Sequence, residues 1–321
     1  MPKPRKRQVS LQDTPYYHCI SRCVRRAFLC GIDPVTGFDF THRRDWIVKR
    51  LKALASVFAI EICAYAVMNN HYHVVLRVCK EQSDEWSDRE VAERWLQLFS
   101  GPLLARSWVS GSPLDAVEMD VVMTWVATWR QRLADLSWFM RCLNEAIARM
   151  ANREDRCTGR FWEGRFKSQA LLDEQALLAC MAYVDLNPIR AAIASTPEHS
   201  HYTSVRDRIR NPDTHQLRPF IATDEAEQGL PYSFLDYLEL VEWTGRIIRS
   251  DKRGSIPHDS PPILRRLNLP AAELIEYLSK PPTPFSSVLG PLHRVRAMAR
   301  NLGMKFLRGA KHHRLLFQGS G

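Results

Sequence analysis

What this sequence lacks removes several classes of protein. No apolar run reaches the roughly 18 residues that a membrane-spanning helix needs, so no membrane partner is expected. The basic start Met1-Pro2-Lys3-Pro4-Arg5-Lys6-Arg7 is not followed by an apolar stretch, so it does not read as a secretory signal. There are 8 cysteines but no Cys-x-x-Cys, and Cys19, Cys23 and Cys30 match no common zinc spacing. Several cysteines fall inside apolar patterns, as buried, reduced thiols of a cytosolic protein do. Acidic residues are missing from positions 291–321, which hold seven Lys/Arg and no Asp/Glu.

The charge that is present is unevenly spread. The net charge is +10; residues 1–60 carry twelve Lys/Arg against four Asp/Glu, and residues 81–135 carry five against ten. Basic ends around an acidic middle point to a polyanion footprint on selected surfaces, or to charge kept for solubility. The basic start is either an arm that touches phosphate or a solvated terminus. With 321 residues and 45% hydrophobic content, the chain can bury a sizeable core and more than one structural unit.

Periodicity predicts the elements. Tyr16 to Arg22 alternates as a strand, with Tyr17, Cys19 and Ser21 on one face and His18, Ile20 and Arg22 on the other. Ile47, Leu51, Leu54 and Phe58 mark a helix over 42–58. Ile60–Val67 and His71–Val78 read as the two arms of a hairpin about Met68-Asn69-Asn70. Residues 81–135, acidic and rich in tryptophan, read as a helical insert. Leu136, Met140, Leu143, Ile147 and Met150 stripe a further helix, Gly159 to Lys167 reads as a strand, and Asp173 caps a helix to about Leu186. Apart from the insert, the order is that of a ferredoxin-like βαββαβ unit, class α+β, plus one helix. Leu235–Ile248 and Ala271–Leu278 read as helices between proline-rich breaks. Residues 291–309 form a basic helix, a turn at Gly303 and a second helix start, either a DNA-reading helix-turn-helix or an ordinary basic helix end.

The chemistry lies in two segments. In Met68-Asn69-Asn70-His71-Tyr72-His73-Val74-Val75-Leu76 the two histidines share one strand face, while Tyr72, Val74 and Leu76 point to the other. The pair can offer two imidazoles to one divalent metal. In Tyr183-Val184-Asp185-Leu186-Asn187-Pro188 a tyrosine and an amide stand one helical turn apart. Asp185 falls off that face and is expected in solvent. Asn187 is either a ligand or the cap of a short helix from Pro188 to Ile193.

His71-Tyr72-His73 resembles the His-hydrophobic-His motif of HUH single-strand endonucleases. Tyr183 with Asn187-Pro188-Ile189-Arg190-Ala191 resembles the tyrosine helix of single-tyrosine transposases. Tyr17-His18, Ser21-Arg22, Arg26 and Gly159-Arg160-Phe161-Trp162 with Arg165-Phe166 complete a resemblance to REP-associated tyrosine transposases. It covers about residues 1–205, leaving out the 81–135 insert and a helical, basic C-terminal extension from 206 to 321. It implies a metal-dependent endonuclease and strand transferase acting on single-stranded DNA hairpins. Tyr183 is then the nucleophile, forming a 5′-phosphotyrosine. His71, His73 and Asn187 are the implied ligands of Mg²⁺ or Mn²⁺, although an imidazole pair equally suits zinc.

Arg22, Arg25 and Arg26 are expected either to grip DNA or to form a solvated turn. Trp162, Arg165 and Lys167 alternate stacking and cationic groups, as single-strand binding asks, although Trp162 also suits a core. Arg190 is expected to bind phosphate near Tyr183 or to pair with Asp185. The rival readings are a catalytically silent regulator bound to the same palindromes, and an RNA-directed use of the sheet. A monomer and a homodimer are both compatible, and the expected location is cytoplasmic, with the nucleoid.

Overall fold

The computed structural model describes residues 8–24, 29–33, 36–211, 214–221, 229–248, 288–304 and 307. The basic N-terminal arm, Arg25, Arg26, the expected helix Ala271–Leu278 with its proline-rich flanks, and the second helix start after Gly303 lie outside them. In chain order the elements are β1 (Tyr16–Arg22), α1 (Arg43–Ala55), β2 (Ile60–Val67) and β3 (His71–Val78), then α2 (Lys80–Glu85), α3 (Asp88–Leu96), α4 (Leu103–Val109), α5 (Ala116–Leu133) and α6 (Leu136–Glu154). There follow β4 (Lys167–Leu171), α7 (Glu174–Asp185), α8 (Asn187–Arg190), α9 (Ser204–Arg210), α10 (Phe234–Ile248), β5 (Val288–Leu289) and α11 (Leu292–Asn301).

The sheet order is β2-β3-β1-β4-β5. β1 runs antiparallel between β3 and β4, and β2 is antiparallel to β3. That is the ferredoxin-like arrangement, as the sequence led us to expect. β5 is an addition: it joins the β4 edge in parallel, from a short segment with no strand-like pattern. Gly290 makes the turn from β5 into α11 at φ +148, where a Cβ would stand 2.7 Å from Leu172 Cβ.

Both faces of the sheet are covered, which is why β2 and β3 are buried almost throughout. One face carries Tyr17, Cys19, Tyr72, Val74 and Leu76, buried beneath α1 and α6. Asn144 of α6 ties this layer to the strands. It accepts from Tyr72 Oη at 2.6 Å and donates to Ser21 Oγ at 2.9 Å, while its carbonyl accepts from Trp162 Nε1 at 2.8 Å. The helix stripe ends one residue away from expectation: Met150 is exposed and Ala151 takes the inward position.

The insert is helical, as its pattern requires. Ser87 caps α3 through Glu90 N, and Asp115 with Glu118 forms a capping box on α5. Its core is aromatic: Trp95 stacks on Trp129 with centroids 5.6 Å apart and planes 7° apart, and meets Trp138 edge-on.

Gly159–Phe166 is a loop rather than a strand; pairing begins at Lys167, apart from an isolated bridge between Cys23 and Trp162. A strand sends successive side chains to opposite faces, but Phe161 and Trp162 both enter the same core.

The opposite face is packed by α7, α9 and α10. The expected boundary near residue 205 falls within α9, and the chain beyond it continues the same layer. Arg218 N donates to Ile62 O at 2.8 Å, and Tyr232 Oη donates to Glu174 O at 2.7 Å. Among the described residues no helix is long and apolar enough to cross a membrane. All eight cysteines are free thiols, seven of them buried.

Candidate active site

Strand register builds the site. On the face beneath α7, Arg22 pairs with His71, while Ile20 sits between His73 and Lys167 in the next row. The following row holds Val75, His18 and Gln169. Asp173 fixes the start of α7 by accepting from Ala176 N at 2.7 Å, and the helix carries Tyr183 over this grid. The Tyr183 ring meets His73 edge-on at 5.6 Å and His18 at 6.1 Å. His71 lies 4.9 Å from His73.

Each histidine of the pair has an orienting partner on its Nδ1. His71 Nδ1 stands 2.6 Å from Asn70 Oδ1, and an amide oxygen only accepts, so the nitrogen donates. Nε2 of His71 is then the lone-pair position. His73 Nδ1 lies 2.9 Å from His18 Nε2, and His73 Nε2 is buried with no hydrogen-bond partner. Burial, with the nearby Arg22 cation, lowers His71 to about 4. Burial holds His73 well below its usual value, and the cationic forms of His71 and His18 and the charges of Arg22 and Arg190 act the same way. Both imidazoles are therefore neutral at pH 7, the form that ligates a metal.

Burial raises the Tyr183 hydroxyl above its usual value; a hydrogen bond from Asn187 and the charges of Arg190 and Arg22 act in the opposite direction. The Arg190 guanidinium stands over the phenol ring, 4.9 Å from its centroid. Asn187 Nδ2 donates to Tyr183 O at 3.1 Å. Asn187 opens α8 rather than capping it, and that helix ends at Arg190, short of Ile193.

Among the described residues no three His, Cys, Asp or Glu side chains are grouped to hold a metal. Two lone-pair imidazole nitrogens, one of them an orphaned buried atom, and one amide oxygen still fit a divalent ion that takes its other ligands from substrate and water.

The other expected site residues divide. Arg22 and Lys167 are exposed on rows of the site face. Trp162 is packed against Tyr72 and Phe161, so its ring is core and not a stacking platform. Arg165 is exposed beside a cavity of about 550 Å³ lined by Met140, Trp162 and Phe166, under the other layer. Asp185, expected in solvent, is fully buried and accepts from Ser204 Oγ, Val205 N and Tyr237 Oη. Its position off the Tyr183 face is where α9 and α10 arrive.

Sequence reading missed His18, Gln169 and Asn70 as site residues. Strand alternation puts His18 on the β1 face opposite Tyr17, and the β1–β3 register is what makes that the face of His73; the sequence pattern around Asn70 signals only a turn.

The fold and site together define a ferredoxin-like sheet with paired neutral histidines facing a helix-borne tyrosine. No family model and no curated protein matches the chain. Among solved structures it is similar to one described as the REP associates tyrosine transposase bound to a REP hairpin. That likeness has 11% identity and a TM-score of 0.39, over 71% of this chain and 97% of the other. So slight a likeness carries no argument; the sheet order and side-chain placement bear on function.

Proposed function

We propose that the protein is a metal-dependent endonuclease and strand transferase for single-stranded DNA hairpins, of the REP-associated tyrosine transposase type. The observation that carries this reading is the meeting of His71, His73 and Tyr183 on one sheet face, with the tyrosine ring 5.6 Å from His73. A half-buried tyrosine in ring contact with His73 and His18 and beneath a guanidinium suits phosphoryl transfer.

Tyr183 Oη attacks the scissile phosphorus. The new bond joins phenol oxygen to phosphorus, and the bond from phosphorus to the 3′ oxygen breaks. The tyrosine proton is lost, and the departing 3′ oxygen ends as a hydroxyl. The protein keeps a 5′-phosphotyrosine, whose retained phosphodiester energy lets a later 3′-hydroxyl rejoin the strand and regenerate Tyr183. Arg190 and the Asn187 amide favour the phenolate that develops during attack. His71, His73 and Asn187 are the residues that would hold Mg²⁺ or Mn²⁺. When bound, such an ion supplies positive charge to the phosphate oxygens. Arg22 and Lys167 extend the cationic face along which a strand would lie.

The test mixes the protein with labelled single-stranded hairpins in Mg²⁺ or Mn²⁺ and in EDTA, followed by a denaturing gel. The expected result is a metal-dependent, DNA-shifted protein band, absent for Tyr183→Phe. Hairpin binding without any such band would favour the silent regulator.

A further inference from the structure

The β1 histidine has no part in the chemistry just described, yet it is 2% exposed and touches both sides of the site. His18 Nε2 lies 2.9 Å from His73 Nδ1, and the two rings are stacked with centroids 5.1 Å apart. On its other side, His18 Nδ1 faces Gln169 Oε1 at 3.4 Å, a longer contact. Gln169 is 1% exposed and lies directly across from His18 in the β1–β4 register.

These contacts fix the direction of the protons. Gln169 Oε1 only accepts, so His18 Nδ1 carries the hydrogen. A neutral His18 then has its lone pair on Nε2, so the proton shared with His73 belongs to His73 Nδ1. This leaves the lone pair of His73 on Nε2, the buried atom with no partner. The opposite direction would place an N–H on that atom, a buried donor in the positive field of Arg22 and Arg190. Asn70 does for His71 what His18 does for His73, so both members of the pair present Nε2.

We propose that His18 is a positioning residue: with Gln169 behind it, it locks His73 in the Nδ1–H tautomer and keeps Nε2 available as an electron-pair donor. This rests on the proposed role of His73 at the phosphoryl-transfer site. The same arrangement explains why three neighbouring histidines do not form a three-ligand centre. His18 uses its inner nitrogen on His73 and is not itself a ligand. An orienting hydrogen bond of this kind typically sets metal affinity by 10–100-fold.

The tautomer is readable without metal or DNA. Long-range ¹H–¹⁵N correlation spectra of the ¹⁵N-labelled full chain are expected to show His73 with Nδ1 protonated and Nε2 bare. A wild-type His73 protonated on Nε2 would overturn the proposal, whatever the protein does to DNA. His18→Phe removes the acceptor while filling the space. It is expected to lose the Nδ1–H signature and to bind Mn²⁺ about 10–100-fold more weakly by titration calorimetry. His18→Gln restores an amide acceptor and is expected to recover both to within a few-fold. Equal Mn²⁺ affinity and an unchanged His73 spectrum in His18→Phe would also overturn it. The expected tautomer in a wild-type protein that binds no Mn²⁺ would support the hydrogen-bond chain and count only against the metal reading.

Discussion

The Tyr237 hydroxyl donates a 2.6 Å hydrogen bond to the Asp185 carboxylate, and both residues are fully buried. Ser204 Oγ at 2.6 Å and Val205 N at 3.0 Å complete the acceptor's shell. Asp185 lies two residues past Tyr183, so this carboxylate fastens the end of the tyrosine helix to α9 and α10. Burial raises its pKa, and the hydrogen bonds and Arg208 oppose that rise. Asp185→Ala strands three donors at once and is expected to cost about 2–4 kcal/mol. Tyr237→Phe should cost about 1–2 kcal/mol, and the double variant less than the sum. Urea unfolding measures all three; a loss below about 0.5 kcal/mol in Asp185→Ala would show that the network holds nothing.

His71→Ala combined with His73→Ala should abolish covalent adduct formation at every Mg²⁺ or Mn²⁺ concentration tried, with hairpin affinity kept within a few-fold. The gel assay and a filter-binding titration read these separately. Full activity in the double variant would sink the metal assignment.

Arg22 and Lys167 face the site from neighbouring rows, and the strand register gives them a common backbone path. Removing both charges as Arg22→Ala with Lys167→Ala should weaken hairpin binding. It should also flatten the slope of log affinity against log salt by about 1.4 for a single strand. An unchanged slope would place the DNA elsewhere. Trp162→Phe, by contrast, alters a core residue and should leave that slope alone.

The aromatic cluster of the insert belongs to the core on the sheet face opposite the one that Tyr183 covers. Trp129 is 4% exposed and stacked on Trp95, and Trp129→Ala is expected to cost about 3–5 kcal/mol. Thermal unfolding should show the loss, while adduct formation persists below the transition. Loss of the adduct in a still-folded Trp129→Ala protein would give the insert a direct part in the reaction.

Much of the site was legible because strands have a period of two. His71 and His73 share a face by that rule alone, and Tyr72 between them had to enter the core. Tyr183 was legible from the spacing to Asn187 and from the resemblance of that helix to a tyrosine helix. Asp185 was misread for a physical reason: helix spacing says which residues leave a face, but not what meets them. Its partners come from residues 204, 205 and 237, far along the chain. Trp162 was ambiguous because an aromatic among cations fits a nucleic-acid surface and a capped core equally. The packing of Tyr72 and Asn144 against it decides the matter. Fold class was read correctly from element order, whereas β5 was not, since two residues carry too little pattern to announce a strand.

That small strand has a consequence for how the chain is made. β4 is complete at Leu171, but its parallel neighbour, Leu289, lies more than a hundred residues further on. At roughly 5–20 residues per second, synthesis of that interval takes on the order of ten seconds. Once Arg190 has been made, a nascent chain holds every site residue from His18 onward while that strand edge still waits for its neighbour, open to pairing with another chain. The contacts that accompany this strand join segments distant in sequence: Asn301 Nδ2 donates to Asp13 Oδ1 at 2.8 Å, and Arg294 reaches the Leu172 carbonyl. Translation speed through the C-terminal third therefore sets how long the newborn chain stays at risk of self-association.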